Sequence, residues 1–203
     1  MIEPVLCLSA FACAVTLLAT IASVSARGLC VDSPLIDWRF APFALLAAAA
    51  SMSVARDGMM ESLPVSVALA ACAVCAASDI RTGLVFDNVS FPAGAGAIVC
   101  SLLCGRGVSS VFGAMCGAAA LLTLWAVTRG RGMGLGDVKL AAVAGAATGP
   151  VSILMALGCA FVCGAVVSVT MLAARRATRK QAIRFAPYIA LGASAVTMMR
   201  GWL

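Results

Sequence analysis

Two aspartates stand where an apolar segment ends or begins, and the sequence offers few other residues for acid and base chemistry. The chain contains no histidine, so proton transfer falls to Asp, Glu, Lys, Cys or Tyr. Asp79 follows the unbroken apolar run 65–78, and Asp137 comes just before the apolar run that starts at Leu140. Two carboxylates brought close cannot both ionise cheaply, so one can activate a water while the other protonates an amide leaving group. This pattern predicts hydrolysis by a carboxylate pair, with no metal and no cofactor.

Asp137 also has a purely structural explanation. It ends the stretch Gly134-Leu135-Gly136-Asp137, whose glycines leave the backbone open to an extended peptide, but an aspartate before an apolar run is also typical of a helix cap. By spacing alone the cap is the preferred interpretation. Apart from Asp79, Asp87 and Asp137, the acids are assigned to solvated loops or caps: Glu3, Asp32, Asp37, Asp57 and Glu61.

The ten cysteines predict packing rather than a metal site. Most lie inside apolar runs, where cysteine behaves as a small hydrophobic residue. The one C-x-x-C pattern, Cys72 to Cys75, lies inside an apolar segment and has no second pair, so it does not support a four-cysteine zinc site.

The elements that must position the two aspartates are membrane helices. Of the 203 residues 63% are hydrophobic and 11% are charged, which predicts an all-α transmembrane bundle rather than a soluble domain. The net charge of +6 is therefore assigned to the membrane surface and not to nucleic acid. About eight helices are expected, or six to eight if short segments do not span, within residues 4–26, 40–55, 64–78, 89–104, 108–128, 139–149, 151–174 and 185–202.

Loop charges predict the orientation. With eight helices, eleven of the fourteen Lys and Arg residues fall on one side, which makes that side cytoplasmic and places both termini outside the cytoplasm. Asp79 and Asp137 then share the cytoplasmic face. This count requires the chain to turn at Gly149-Pro150, because one continuous helix there would remove the asymmetry. The first segment follows no basic region, so it is interpreted as a helix and not as a cleaved signal peptide.

Three motifs resemble the prepilin peptidases, which belong to the GxGD class of membrane aspartyl proteases. Gly134 to Leu140 resembles the signature of that family, Asp79 to Asn88 resembles its first aspartate segment, and Arg184 to Gly192 is a weaker match to its last helix start. The resemblance covers about residues 64–200, and it suggests N-terminal helices in 1–63 and a peptidase domain in 64–203. It implies that Asp79 and Asp137 are catalytic and that Gly134, Gly136, Lys139, Arg81 and Asp87 support them.

The resemblance further implies the substrate and the location. Such an enzyme removes a short basic leader from a type IV prepilin or pseudopilin at the cytoplasmic face of the plasma membrane. Arg129, Arg131 and the basic loop 175–184 are expected to face anionic lipid headgroups. Phe86 stands where the family commonly has proline. The first cytoplasmic loop holds Cys30 alone, without the paired C-x-x-C of the methylating members, so a peptidase-only form like that of tight-adherence (Flp-type) pilus systems is predicted.

Three alternatives remain at this stage. A small carrier or channel could use membrane-edge acids to bind a cation, and a pilus-assembly scaffold could keep the fold without catalysis. A presenilin-like protease shares GxGD, but its Tyr-Asp partner motif is missing here, since the one tyrosine is Tyr188.

Overall fold

The computed structural model describes residues 41–54, 59–130, 132–174 and 184–200, and in these ranges every regular element is an α-helix. The seven helices are α1 (Ala41–Val54), α2 (Met59–Thr82), α3 (Asp87–Leu103), α4 (Gly107–Val127), α5 (Leu135–Thr148), α6 (Pro150–Ala173) and α7 (Ala186–Arg200). They coincide with the last seven predicted segments, so the all-α prediction is confirmed. The first predicted helix, 4–26, and the loop that holds Cys30 lie outside the described residues, and the division at residue 63 stays a prediction.

Three of these helices contain a stretch long and apolar enough to cross a membrane: Ser62–Ile80, Gly107–Val127 and Pro150–Ala173. The segment predicted as 64–78 reaches this length because α2 includes residues on both sides of it. Helices α1 and α5 have 14 residues each, as the short predicted segments implied.

Helix α2 lies at the centre of the bundle. Over its most apolar stretch, 83% of the residues are buried, against 22% for the corresponding stretch of α4 and 28% for that of α6. α2 packs against α1, α3, α5 and α7, and its buried face consists mainly of alanine, serine and cysteine. Large apolar side chains on α4 and α6 point outward instead, which is the distribution expected of helices that face lipid.

Small residues let α4 and α5 approach closely. A Cβ on Gly113 would collide with the carbonyl oxygen of Gly145, and a Cβ on Gly117 would collide with that of Ala141. Ser110 adds an interhelical hydrogen bond of 2.6 Å from its Oγ to the carbonyl oxygen of Ala146. The Gly113-x-x-x-Gly117 spacing, which is a weak signal in a sequence so rich in alanine and glycine, is therefore a packing motif in this fold.

The chain reverses direction at Gly149, as the charge count required. Gly113 lies against Gly145 and Gly149, whereas Gly117, one turn further along α4, lies against Ala141 and Ile153. The contact thus moves backward along α5 and forward along α6, so these two helices are antiparallel. Gly149 has φ +85°, a conformation that strains residues with a side chain, which explains a glycine at this turn.

Candidate active site

Asp79 lies in the last turn of α2, where the central helix reaches one end of the bundle. Its side chain is buried, with 7% relative exposure. The backbone amide of Ala186, the first residue of α7, donates a hydrogen bond to the Asp79 carboxylate, and Arg184 supplies a positive charge nearby. Its Oδ2 atom is buried without a hydrogen-bond partner among the described residues. Asp79 therefore has one oxygen atom ready to accept a proton or a hydrogen bond from another group.

Asp137 is the third residue of α5 and is also buried, with 8% relative exposure. The residue that caps α5 is Gly134, and the Asp137 carboxylate accepts a hydrogen bond from the Gly134 amide. An acidic residue at the third position that reaches back to the cap is half of a capping box. The capping interpretation is thus partly correct, and it coexists with burial beside Asp79.

The two aspartates interact electrostatically. Burial and, second, the negative charge of Asp79 together raise the pKa of Asp137 to about 6, while the hydrogen bond from Gly134 opposes both effects. This coupling requires the carboxylates to lie at the same end of the bundle. Ionising both carboxylates would place two negative charges at one buried end of the bundle, which is why the charge of Asp79 favours the protonated form of Asp137.

A compact turn follows Asp79 and joins α2 to α3. The Gly83 amide donates to the carbonyl oxygen of Asp79 at 2.9 Å, and Gly83 has φ +70°. The buried Ser78 hydroxyl donates to the carbonyl oxygen of Leu84 at 3.0 Å, and the Thr82 hydroxyl donates to that of Ser78 at 2.9 Å. These bonds hold the turn against the end of α2 and so fix the backbone next to Asp79.

The turn packs directly against the glycine motif. A Cβ on Gly136 would lie 2.8 Å from the Cβ of Val85, closer than real side chains approach. The same addition at Gly134 would meet only ordinary contacts, the nearest being Asp137 Oδ2 at 3.7 Å. The two glycines of the motif therefore differ: Gly136 makes room for Val85, whereas Gly134 is exposed and leaves the approach to Asp137 open.

The supporting residues Asp87 and Lys139 form an ion pair. Lys139 Nζ lies 2.7 Å from Asp87 Oδ1, and the same nitrogen lies 5.3 Å from the centroid of the Phe91 ring. Asp87 begins α3 and Lys139 is the fifth residue of α5, so the pair joins the two aspartate motifs. Arg81 lies in the last turn of α2, and its side chain is outside the description, as are Arg131 and residues 175–183.

The site contains residues that the sequence did not single out. Val85 contacts the glycine motif, Ser78 holds the turn, and the Ala186 amide meets Asp79. The weak match from Arg184 to Gly192 was the one sequence feature that pointed to this third segment. A serine inside an apolar helix and a valine in a turn carry no such indication, because their roles depend on a partner distant in sequence.

Comparison with known families agrees with these motifs. Residues 66–169, just over half of the chain, match the type IV leader peptidase family, and the matched range includes both aspartates and the glycine motif. No curated protein and no solved structure matches the chain. Motif order, helical fold and family match converge on one conclusion: the chain belongs to the type IV leader peptidase family.

Proposed function

We propose that this protein is a membrane-embedded aspartic endopeptidase that removes the short basic leader from type IV prepilin-like or pseudopilin substrates. Asp79 and Asp137 are its catalytic residues. One observation carries the proposal: both carboxylates are buried at one end of the helical bundle, and the charge of one raises the pKa of the other. Membership of the type IV leader peptidase family supports the same reaction class.

The two aspartates divide the proton transfers. Burial disfavours the ionised form of both aspartates, but among the described residues Asp79 has the positive charge of Arg184 nearby and Asp137 has none, so we assign Asp79 as the general base. Asp137 retains the shared proton at higher pH than an ordinary aspartate and acts as the general acid.

Atoms and protons balance over one turnover. Asp79 removes a proton from water as the water oxygen bonds to the scissile carbonyl carbon. Asp137 then gives its proton to the amide nitrogen as the carbon–nitrogen bond breaks. The pair still holds one proton, now on Asp79, and transfer of that proton to Asp137 restores the starting state.

The exposed segment before Asp137 supports binding of an extended peptide. Gly134 and Leu135 are both exposed, and Gly134 has no side chain between solvent and the Asp137 carboxylate. A peptide backbone can therefore approach the acid closely. The loop charges support cleavage at the cytoplasmic face of the plasma membrane, where Arg129 and the basic residues after α6 meet anionic headgroups. The lone Cys30 supports a peptidase-only enzyme of the tight-adherence type.

The direct test is cleavage by the full-length protein in lipid vesicles. A pilin-like substrate with a basic leader is incubated with wild type, Asp79→Asn and Asp137→Asn, and the product mass is measured. Each substitution keeps the side-chain size but removes the proton-transfer group, so we expect leader removal to fall by at least about 10³-fold.

The matched control is Glu61→Gln, which neutralises an acid in the first turn of α2, the end opposite Asp79. It should cleave at the wild-type rate. Leader removal that survives either aspartate substitution would contradict the dyad. Cation uptake by the vesicles without cleavage would favour a carrier instead.

A further inference from the structure

We propose that the ion pair between Asp87 and Lys139, with the Phe91 ring, is a positioning clamp that sets the separation of the two catalytic aspartates. This inference rests on the proposed function, since it assigns a role within that active site. Both residues are positioning residues, because the clamp acts on the backbone segments that carry Asp79 and Asp137.

The clamp joins the two segments that carry the dyad. Asp87 is the first residue after the turn that follows Asp79, and Lys139 lies two residues beyond Asp137 on α5. Their side chains meet at 2.7 Å although 52 positions separate them in sequence. A movement of either segment away from the other would therefore break this contact.

Phe91 restricts the lysine from a second direction. It lies one turn after Asp87 on α3, and its ring centroid is 5.3 Å from Lys139 Nζ. An ammonium group over an aromatic face is attracted to it, so the nitrogen is held between a carboxylate and a ring. Its position is thus better defined than that of a lysine with a single surface partner.

A second contact links the same two segments. Gly136 lies against Val85, and the ion pair lies two or three residues further along each of the two segments. Two contacts between the same segments resist rotation as well as separation. The contact of Val85 with Gly136 fixes how closely the two segments pack, and the ion pair fixes their relative orientation.

The clamp is expected to affect the rate more than stability. The side chains are 36% and 53% exposed, and ion pairs of that exposure contribute little to folding. Misplacement of reacting groups by about 1 Å can reduce a rate about 100-fold. Loss of the pair should therefore reduce kcat in a protein that remains folded.

The test is a double-mutant cycle on full-length protein in lipid vesicles. Asp87→Asn, Lys139→Gln and the double variant are compared with wild type for kcat and KM of leader removal. We expect each single substitution to lower kcat about 10- to 100-fold with KM changed less than about twofold. The double variant should be no slower than the slower single variant, because the same interaction is lost.

A conservative variant and a charge control complete the design. Asp87→Glu keeps the carboxylate and should retain most of the wild-type kcat. Arg106→Gln removes a positive charge in the turn between α3 and α4, at the other end of the bundle, and should leave kcat unchanged. Thermal unfolding of each variant in the same lipid should remain close to wild type. If a single variant is unfolded, the comparison of Asp87→Glu and Lys139→Arg with wild type still tests the charge requirement.

Two results overturn the clamp alone: wild-type kcat in Asp87→Asn or Lys139→Gln, or losses that multiply in the double variant. If folded wild type fails to cleave at all, the proposed function falls, and the clamp falls with it. Cleavage by wild type together with full activity of the neutralised variants therefore separates the two failures.

Discussion

At the scale of single residues, Asp137 differs from a surface aspartate because burial and a neighbouring charge act together. Its pKa is raised to about 6, with burial as the larger cause and Asp79 as the second. The hydrogen bond from Gly134 limits the rise, since it stabilises the ionised form. An acid that keeps its proton up to about pH 6 can donate it to a leaving group.

The pKa of Asp137 predicts the pH dependence of cleavage. A raised pKa means that the general acid is protonated below about pH 6 and ionised above it. We therefore expect kcat/KM to fall as pH rises through about 6, approaching a tenfold loss for each further pH unit. The measurement uses a substrate without histidine, so that the substrate does not titrate in this range. A kcat/KM value that is constant from about pH 5 to pH 8 would contradict proton donation by Asp137.

At the scale of elements, the site depends on the contact between the turn that joins α2 to α3 and the glycine motif at the start of α5. The turn between α2 and α3 is held by Ser78 and Thr82, and it presents Val85 to Gly136 at the start of α5. Backbone groups and small side chains thus hold the end of α2 next to the start of α5. The ends of these helices, rather than their interiors, carry the candidate chemistry.

The contact between Val85 and Gly136 predicts that Gly136→Ala and Gly134→Ala will have different effects. Alanine ordinarily favours a helix over glycine, but at position 136 its Cβ would lie 2.8 Å from Val85. We expect Gly136→Ala to lose about 1–3 kcal/mol of stability and at least about tenfold in kcat, because the turns must separate.

Gly134→Ala is the matched control for stability, because its Cβ meets nothing closer than 3.7 Å and its free energy of unfolding should stay close to that of wild type. Unfolding and cleavage of the two variants are measured side by side. Equal effects of the two substitutions would show that the glycines serve backbone flexibility and not the Val85 contact.

At the scale of the whole molecule, the two ends of the bundle differ. Asp79, Asp137 and the Ala186 amide share one end, where Arg184 also lies. The Gly149 turn lies beside Ser109, near the turn between α3 and α4, at the other end. This polarity agrees with the loop charges that predict a cytoplasmic active site.

The topology can be tested with epitope tags in the full-length protein. A tag inserted at Gly105, in the turn between α3 and α4, should be accessible from outside the cell. A tag inserted next to Gly132, before α5, should be accessible only in inverted vesicles. Antibody binding to intact and inverted vesicles gives the measurement, and accessibility of both tags from one side would contradict the predicted orientation.

The sequence alone determined the helical segments and the candidate acids. Apolar runs that end at charged or glycine-rich stretches predict helices well, because burial in lipid or in a helical bundle selects long apolar stretches. The break at Gly149 was predicted from charge and is confirmed by the separate helices α5 and α6. Asp79 and Asp137 stood out because acids are rare in so apolar a chain. The resemblance of the surrounding motifs to a known family indicated which residues support them.

Only the tertiary structure decided which residues meet. The pairing of Asp87 with Lys139, the contact of Val85 with Gly136 and the close approach of Gly113 to Gly145 each join positions distant in sequence. Their strength depends on distances between helices, which composition and spacing do not contain. The same reason applies to Asp137: its spacing fits both a helix cap and a member of a carboxylate pair, and only the neighbouring helix α2 brings Asp79 near enough to raise its pKa.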